Sequence, residues 1–357
     1  LNIILKMKKT LTTLIIVFLG CQSSSKKQVN KYDINDFFNN ISVYGGSFSS
    51  DEERLIYSSN ESGIYNVYEV GISSGTITKL SSSELESFFV QSYVPASNDF
   101  IYTADKGGNE INHLYLQKRG GQTIDLTPGE NEKSIFFKWS QDNTFLYYLS
   151  NKRDSKYFDL YKMDIGRLES RMVYENKDNL SLSSISNNEQ YLLLSERLTT
   201  SENKFYLFDI IKGEKKEIST APGSYSAAGF SNDNKGFYYI TDVGKEFTYL
   251  NKYDIKTSES TVVFETNWDV MYSYSSKNEK YRIIGINEDG KNSIQVIDSN
   301  SNKPIEFPSF ENADITGVSF SESEQKIRLS VGSSKIPNDL FVYDMETKSL
   351  VKLTNSL

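Results

Sequence analysis

The chain has 357 residues, of which 38% are hydrophobic, 24% are charged and 13% are aromatic. A single Cys excludes an internal disulfide framework, a thiolate zinc site and a CxxC redox motif, and a single His excludes a two-histidine metal site. The 24 Tyr and 21 Phe are more aromatic side chains than a disordered chain carries, so we expect a folded core.

The N-terminal segment is predicted to direct export and is not expected to belong to the fold. Met7 is the expected true start, and two lysines followed by a short apolar run give residues 1–20 the pattern of a signal peptide. The run is shorter than the roughly 20 apolar residues that span a bilayer. Leu19-Gly20-Cys21 resembles the lipobox of bacterial lipoproteins, which predicts lipidation of Cys21; the alternative is an ordinary signal peptide with an incidental Cys. Residues 21–40 would then form a lipid-anchored tether and lead-in.

The charge of the mature chain bears on its partners. Without residues 1–20 it carries 36 basic and 47 acidic side chains, a net charge of −11. Such a surface repels phosphate backbones, so no nucleic-acid partner is expected. The lipid on Cys21 would be the membrane contact. We therefore expect an exported cell-envelope lipoprotein that faces the periplasm.

An internal repeat follows the tether. An aromatic residue, Ser and then Asp two residues later form an anchor that recurs as Phe48-Ser49-Ser50-Asp51, Trp139-Ser140-Gln141-Asp142 and Phe230-Ser231-Asn232-Asp233. Weaker copies begin at Tyr93, Ile185, Tyr274 and Phe320, so the seven anchors are spaced 45, 46, 46, 45, 44 and 46 residues apart. A second series of acidic residues keeps nearly the same period: Asp164, Asp209, Asp254, Asp298 and Asp344. Two independent series with one period indicate a repeat architecture.

Each repeat unit reads as four short strands. In the third unit they are predicted at Phe136–Ser140, Thr144–Ser150, Asp159–Asp164 and Arg171–Tyr174. The Ser and Asp of the anchor suit the turn between the first two strands, because their oxygens accept local backbone N–H groups. No stretch after residue 40 sustains helical periodicity over 12 residues, so little helix is expected.

Seven four-stranded units of this length predict an all-β fold, a seven-bladed β-propeller of four antiparallel strands per blade over residues 41–357. A single sheet cannot bury both of its faces, and stacking the sheets around an axis buries them against each other. The first and last units each contain four strands of their own. We therefore predict that the ring closes by packing, without strand exchange, and that this seam opens more readily than a hydrogen-bonded one.

Several stretches resemble the N-terminal propeller of prolyl oligopeptidase-family serine peptidases, in particular the bacterial dipeptidyl-aminopeptidase and acylaminoacyl-peptidase types. They include SNESGIYNVYE from Ser59, NKRDSKYFDLY from Asn151, NWDVMY from Asn267 and KLTNSL from Lys352. The anchor by itself also fits TolB-type repeats. The resemblance covers roughly residues 33–357. It implies that an α/β-hydrolase domain with a Ser–Asp–His triad belongs to the full enzyme, and that this chain lacks it and is inactive by itself.

One catalytic motif occurs in the chain, since Gly71-Ile72-Ser73-Ser74-Gly75 reads G-x-S-x-G. A nucleophile elbow requires a strand, a strained turn and a helix. Here the motif lies between two predicted strands, so Ser73 is interpreted as a turn residue. His113, the only His, is interpreted as a packed or edge-strand side chain and not as a base. We expect no catalytic residue, metal site or cofactor on this chain.

Charged residues concentrate in the predicted loops between second and third strands, which emerge on one face of a propeller. One interpretation is a solvated rim. The other is a surface that docks the hydrolase domain or binds peptide termini, with Arg153 and Arg197 as the preferred carboxylate or carbonyl partners because a guanidinium offers a planar fork of donors. The remaining candidates of this rim are acidic: Glu61, Glu110, Asp154 and Glu246.

Two functions are consistent with these features. The first is the non-catalytic propeller of an exported serine peptidase, which caps the missing hydrolase domain, admits short peptides and excludes folded proteins. The alternative is a stand-alone lipoprotein propeller that binds a protein or a glycan in the cell envelope. The coding DNA beyond codon 357 distinguishes them.

Overall fold

The computed structural model describes residues 31–356. The lead-in contains one five-residue helix, α1 (Ile34–Phe38). The pattern of internal contacts divides the chain into two compact units, of which the first ends at Asn40 and the second begins at Ile41. Met7, Cys21 and the predicted signal peptide lie outside the described residues. Within the described part of the chain, no helix is long and apolar enough to cross a bilayer.

The second unit consists of 28 strands in seven groups of four. The first four groups are β1 (Val43–Phe48), β2 (Arg54–Ser59), β3 (Asn66–Gly71), β4 (Ile77–Lys79); β5 (Phe89–Tyr93), β6 (Phe100–Ala104), β7 (His113–Gln117), β8 (Thr123–Asp125); β9 (Ser134–Trp139), β10 (Phe145–Asp154), β11 (Tyr157–Asp164), β12 (Glu169–Tyr174); and β13 (Ser181–Ile185), β14 (Tyr191–Arg197), β15 (Asn203–Asp209), β16 (Glu214–Glu217). The last three groups are β17 (Tyr225–Phe230), β18 (Gly236–Thr241), β19 (Tyr249–Asp254), β20 (Ser260–Phe264); β21 (Asp269–Ser275), β22 (Tyr281–Glu288), β23 (Lys291–Asp298), β24 (Lys303–Pro304); and β25 (Asp314–Phe320), β26 (Lys326–Ser333), β27 (Ile336–Asp344), β28 (Leu350–Lys352).

Each group pairs in chain order as one antiparallel four-stranded sheet, which confirms the predicted seven-bladed β-propeller. First strands contact one another between blades one and two, four and five, and five and six, which places the first strands on the inner wall of the ring. Over residues 41–356 no sheet takes a strand from another blade, as predicted. The seam instead packs apolar side chains of blade seven, among them Leu340, Val342 and Leu353, against Leu55 and Tyr57 of blade one.

The anchors form the turns between first and second strands. In six blades the anchor Ser is buried, and its Oγ accepts the backbone N–H five residues later: Ser49, Ser140, Ser186, Ser231, Ser276 and Ser321. The serine of the sixth blade is Ser276, one residue later than the anchor at Tyr274 places it. The true spacings around this blade are therefore 45 and 45 residues, and the sequence register there is wrong by one.

Two adjacent residues on the second strand of each blade mediate the packing between blades. The side chain seven residues after the first anchor residue faces the preceding blade, and the next side chain faces the following blade. Ile56 thus shares a buried cluster with Phe100, and Leu193 shares one with Phe237. Two of these positions hold charge instead, at Arg282 and Arg328, and both Arg side chains are largely buried.

Candidate functional site

The two ends of the ring carry different structures. In an antiparallel meander the turns between first and second strands lie at one end, and the loops between second and third strands lie at the other. We call these ends the anchor face and the loop face. The loop face is formed by residues 60–65, 105–112, 155–156, 198–202, 242–248, 289–290 and 334–335.

The six rim candidates lie in or beside these loops. Glu61, Glu110 and Glu246 lie within loops, whereas Arg153, Asp154 and Arg197 end second strands. Over residues 31–356, no hydrogen bond or ion pair joins any two of the six. The candidates are therefore spread over the first five blades and do not form one cluster.

Arg153 is engaged within its own blade. Its Nε and Nη2 donate to the two carboxylate oxygens of Asp159 at 2.7 and 3.0 Å, and Nη2 also donates to the Asn176 carbonyl at 3.1 Å. Asp159 is 0% exposed. The planar fork expected to bind a ligand carboxylate is thus occupied by a buried carboxylate of the protein.

Arg197 is more available. Its side chain is exposed, and Nε donates to the Thr199 carbonyl at 3.1 Å. Two of the acidic candidates take part in local turns: the Glu110 N–H donates to Asp105 at 2.7 Å, and Asp154 accepts the Lys156 N–H at 3.0 Å. Of the two arginines, Arg153 is bound by a carboxylate of the protein, whereas Arg197 bonds a backbone carbonyl.

The G-x-S-x-G match does not form a nucleophile elbow. Gly71 ends β3, residues 72–75 form a turn, and β4 follows without a helix. The interpretation of Ser73 as an exposed turn residue is confirmed.

His113 is packed, as expected from the sequence. It is buried, and its Nδ1 lies 2.8 Å from an Asp125 carboxylate oxygen. Its ring also lines a 210 Å³ loop-face pocket that includes Asp105 and Glu130. Across residues 31–356, no group of three His, Cys, Asp or Glu side chains is arranged to hold a metal ion.

A central cavity of about 560 Å³ is lined by first strands of blades seven, one, two and three. Every first strand has a β-bulge near its middle, and bulged residues such as Gln91 and Phe137 line this cavity. Phe136, Trp139 and Lys138 line it as well. Burial lowers the pKa of Lys138, which has no ion-pair partner among the described residues. Aromatic side chains and the Lys138 amine thus line the cavity, together with serines and the Glu322 carboxylate.

The anchor face is crossed by polar contacts between distant blades. The Lys277 carbonyl in blade six accepts from Gln141 Nε2 of blade three at 3.2 Å and from Asn232 Nδ2 of blade five at 2.8 Å. Its ammonium contacts Asn143 Oδ1 of blade three at 3.2 Å and pairs with Glu322 of blade seven. Because blades three and six lie across the ring, these contacts narrow the channel at this end.

The loop face has no such bridge among the described contacts and carries exposed apolar side chains. Tyr44, Ile135 and Met271 lie near the start of first strands, and Leu198 and Trp268 lie in adjoining connections. They are between 37% and 52% exposed. The mouth of the channel on the loop face is therefore apolar, within a charged rim.

A comparison with protein-family models matches residues 38–356 to the N-terminal β-propeller domain of prolyl oligopeptidase. The chain belongs to this family. The resemblance inferred from sequence is thus confirmed. A sequence comparison with curated proteins finds no match.

Solved structures share the propeller fold at low identity. A structure from a study of two prolyl endopeptidases, concerned with inter-domain dynamics in catalysis and specificity, has a TM-score of 0.68 and 15% identity over 88% of this chain and 50% of its own. A puromycin-hydrolyzing peptidase of Mycobacterium tuberculosis has a TM-score of 0.67 and 10% identity over 89% and 54%. TolB from Acinetobacter baumannii has a TM-score of 0.52 and 13% identity over 92% and 85%. The chain spans about half the length of the two peptidases.

The sequence reasoning missed the cross-channel contacts and the two buried arginines of this propeller. Tyr274 is one residue too early for the sixth anchor. With that placement, Arg282 does not fall seven residues after the anchor, the core position that is apolar in the other six blades. Aligning the repeats on Ser276 instead would have revealed a charged residue at a core position.

Proposed function

We propose that the chain is the non-catalytic propeller of an exported serine peptidase, with the hydrolase domain docked on its loop face. The topology supports this assignment, because β1 begins and β28 ends at the loop face. A domain covalently joined to the propeller would emerge there. The exposed apolar side chains around Trp268 and Leu198 give such a domain a surface to bury.

We propose further that the propeller limits access by size. A docked hydrolase domain would cover the apolar mouth, and the Lys277 contacts narrow the opposite end of the channel. Short or unfolded peptides would enter the aromatic cavity, whereas folded proteins would be excluded. The propeller by itself would hydrolyse no peptide.

The docking surface is tested with the propeller and the hydrolase domain expressed as two chains, the latter taken from the coding DNA beyond codon 357. Trp268→Glu places a charge in the apolar loop-face surface and is expected to weaken the complex seen by analytical ultracentrifugation. Ile211→Glu is the matched control, because Ile211 is 78% exposed in a turn of the anchor face. Equal weakening by the two variants, or by neither, would contradict the proposed docking surface.

We also propose that Cys21 carries the lipid that holds the protein in the envelope. Cys21→Ser is expected to abolish incorporation of a labelled fatty acid and to release the protein from washed membranes. A membrane-bound, labelled Cys21→Ser protein would show that the anchor lies elsewhere.

The second candidate is a stand-alone envelope propeller that binds a protein or a glycan. The exposed apolar loop face supports it, since such a surface suits any protein partner. A stop codon directly after codon 357, together with a stable anchored product, would favour this function over the first.

A further inference from the structure

Blade six departs from its siblings at one core position. Six blades place an apolar side chain of 0–2% exposure there: Leu55, Phe100, Leu146, Leu192, Phe237 and Ile327. The sixth blade has Arg282, which is 7% exposed. Its cross-strand partner differs as well, being Ser275 where the other blades have aromatic residues or Ile. Because the other six blades have an apolar side chain at this position, the propeller fold does not require a charged residue there.

The contacts of Arg282 leave its charge without an acidic partner. The guanidinium carbon lies 3.5 Å from the centre of the Tyr238 ring of blade five. Nη1 donates to Ser273 at 3.2 Å and Nη2 to Ser275 at 2.7 Å. Among residues 31–356, no carboxylate lies within 4 Å of the guanidinium, although the more distant Glu279 acts on it electrostatically. An arginine stays protonated even when buried.

A cavity of about 250 Å³ adjoins this guanidinium between blades five and six. Its wall is mostly apolar and includes Val263, Phe264, Ile284 and Ile297. Amide and hydroxyl side chains complete it, from Gln295, Ser299 and Asn302. The cavity therefore combines an apolar wall with one buried cation.

The chemistry of this cavity specifies the class of ligand. A buried cation is costly unless an anion is paired with it, and the hydroxyl partners here are neutral. The guanidinium has five N–H donors, so donors remain beyond those given to Ser273 and Ser275. We propose that this cavity binds a small carboxylate with an apolar body, with Arg282 as the partner of the carboxylate. Such a group occurs on a free aliphatic acid and at the C-terminus of a peptide that ends in an apolar residue.

The test is isothermal titration of the full chain with two acids and their neutral amides. Hexanoate represents a free acid, and N-acetyl-leucine represents a peptide C-terminus; hexanamide and N-acetyl-leucinamide are the matched controls. We expect saturable binding of at least one acid, and roughly tenfold or greater weakening for its amide, because the amide loses the charge-assisted hydrogen bonds. Binding of hexanoate but not N-acetyl-leucine would identify a free acid as the ligand, and the converse would identify a peptide terminus.

Two variants assign the effect to this cavity. Arg282→Leu restores the apolar side chain found in the sibling blades and is expected to keep the fold while it loses acid binding. Val263→Trp fills the cavity from its rim, keeps Arg282, and should also abolish binding. Arg167→Ala removes an exposed arginine of blade three that lies outside this cavity and the rim, and should bind the acids unchanged. Equal affinity for acids and amides, no saturable binding of either acid, or full binding by both cavity variants would overturn the proposal.

Discussion

At the scale of single residues, Glu69 organises the interface between blades one and two. Its carboxylate accepts from Arg54 Nη1 at 3.0 Å, from both Nη groups of Arg119 at 3.1 Å and from the Tyr93 hydroxyl at 2.6 Å. Burial would raise the pKa of Glu69, but the hydrogen bonds from Tyr93 and Arg119 and the charges of Arg119 and Arg54 outweigh it and lower the pKa below its ordinary value of 4.5.

Glu69→Gln is expected to destabilise the propeller by about 2 kcal/mol, because hydrogen bonds to a charged acceptor are lost. The sign of the pH effect follows from the lowered pKa. The stabilising contribution is complete well above pH 4.5 and is lost as the pH falls through the lower pKa of the folded state. Urea unfolding between neutral and acidic pH measures this, and the difference between wild type and Glu69→Gln should shrink in acid. Glu265→Gln, in an exposed pair with Lys245, is the control and should change stability by about 0.5 kcal/mol or less. A pH-independent difference for Glu69→Gln would contradict the assignment.

Arg153 shows how the sequence can indicate a rim residue without revealing its partner within the protein. The sequence places Arg153 in a loop, as part of a solvated rim or of a docking or peptide-binding surface. In the structure β10 extends through Asp154, and Arg153 donates to Asp159. The sequence marks both residues as charged and gives no sign that Asp159 is buried. Local spacing predicts which residues lie near a loop, but burial of a single carboxylate depends on packing of the whole blade.

Arg153→Ala is therefore expected to lower the stability of the protein clearly, since it leaves the buried Asp159 carboxylate without its cation. Arg197→Ala removes an exposed side chain that bonds one carbonyl and should cost about 0.5 kcal/mol or less. Thermal and urea unfolding of both variants provide the comparison. Equal stability of the two variants would refute the structural role of Arg153.

At the scale of elements, the second acidic series is explained by the turns between third and fourth strands. Asp209, Asp254, Asp298 and their counterparts each accept two backbone N–H groups of the following turn. The sequence predicted the period of this series, but its hydrogen bonds became evident only in the structure. The reason is that an Asp after a strand also suits other turn types.

The same turns predict a change in stability. Four residues after the Asp, Leu168 has φ +58° and Gly213 has φ +69° at equivalent sites of neighbouring blades. The left-handed region costs an L residue roughly 1 kcal/mol, and a Cβ at Gly213 would meet no atom within 4 Å. Leu168→Gly should therefore stabilise the protein by about 1 kcal/mol and Gly213→Leu should destabilise it by a similar amount, as measured by urea unfolding. Destabilisation by Leu168→Gly would show that the exposed Leu168 side chain contributes more than the backbone strain.

At the scale of the whole molecule, the ring closes at a single seam. Besides its apolar contacts, the seam has several polar contacts: Lys326 Nζ donates to the Glu52 carbonyl and Arg328 Nη1 donates to the Gly45 carbonyl, each at 2.7 Å. At the anchor face, both carboxylate oxygens of Glu52 accept from Ser323 at 2.6 Å. The interface of blades four and five has the same device, because Asn234 accepts the Asn188 N–H at 3.2 Å. The repeat predicted that the ring closes without strand exchange. It did not predict these bridges, which join turns that are distant in sequence.

Glu52→Gly is expected to weaken the seam, whereas Asn234→Gly should affect only its own interface. Both positions have positive φ, so glycine relieves the backbone in both variants. Hydrogen exchange monitored by mass spectrometry should show faster exchange in β1 and β25 for Glu52→Gly and no change there for Asn234→Gly. Uniform acceleration around the ring in either variant would mean that the seam is no weaker than the other interfaces.

The absence of strand exchange in the described ring also determines the order in which the molecule can be assembled. Each blade is one continuous segment, so its strands can pair as soon as that segment has left the ribosome. The contacts that close the ring are remote in sequence, since Ser323 and Glu52 are 271 residues apart. Until blade seven has been synthesised, the apolar flanks of blades one and six face the surrounding medium. A nascent chain halted before β25 is therefore expected to be an open arc whose two exposed apolar flanks make it prone to aggregation.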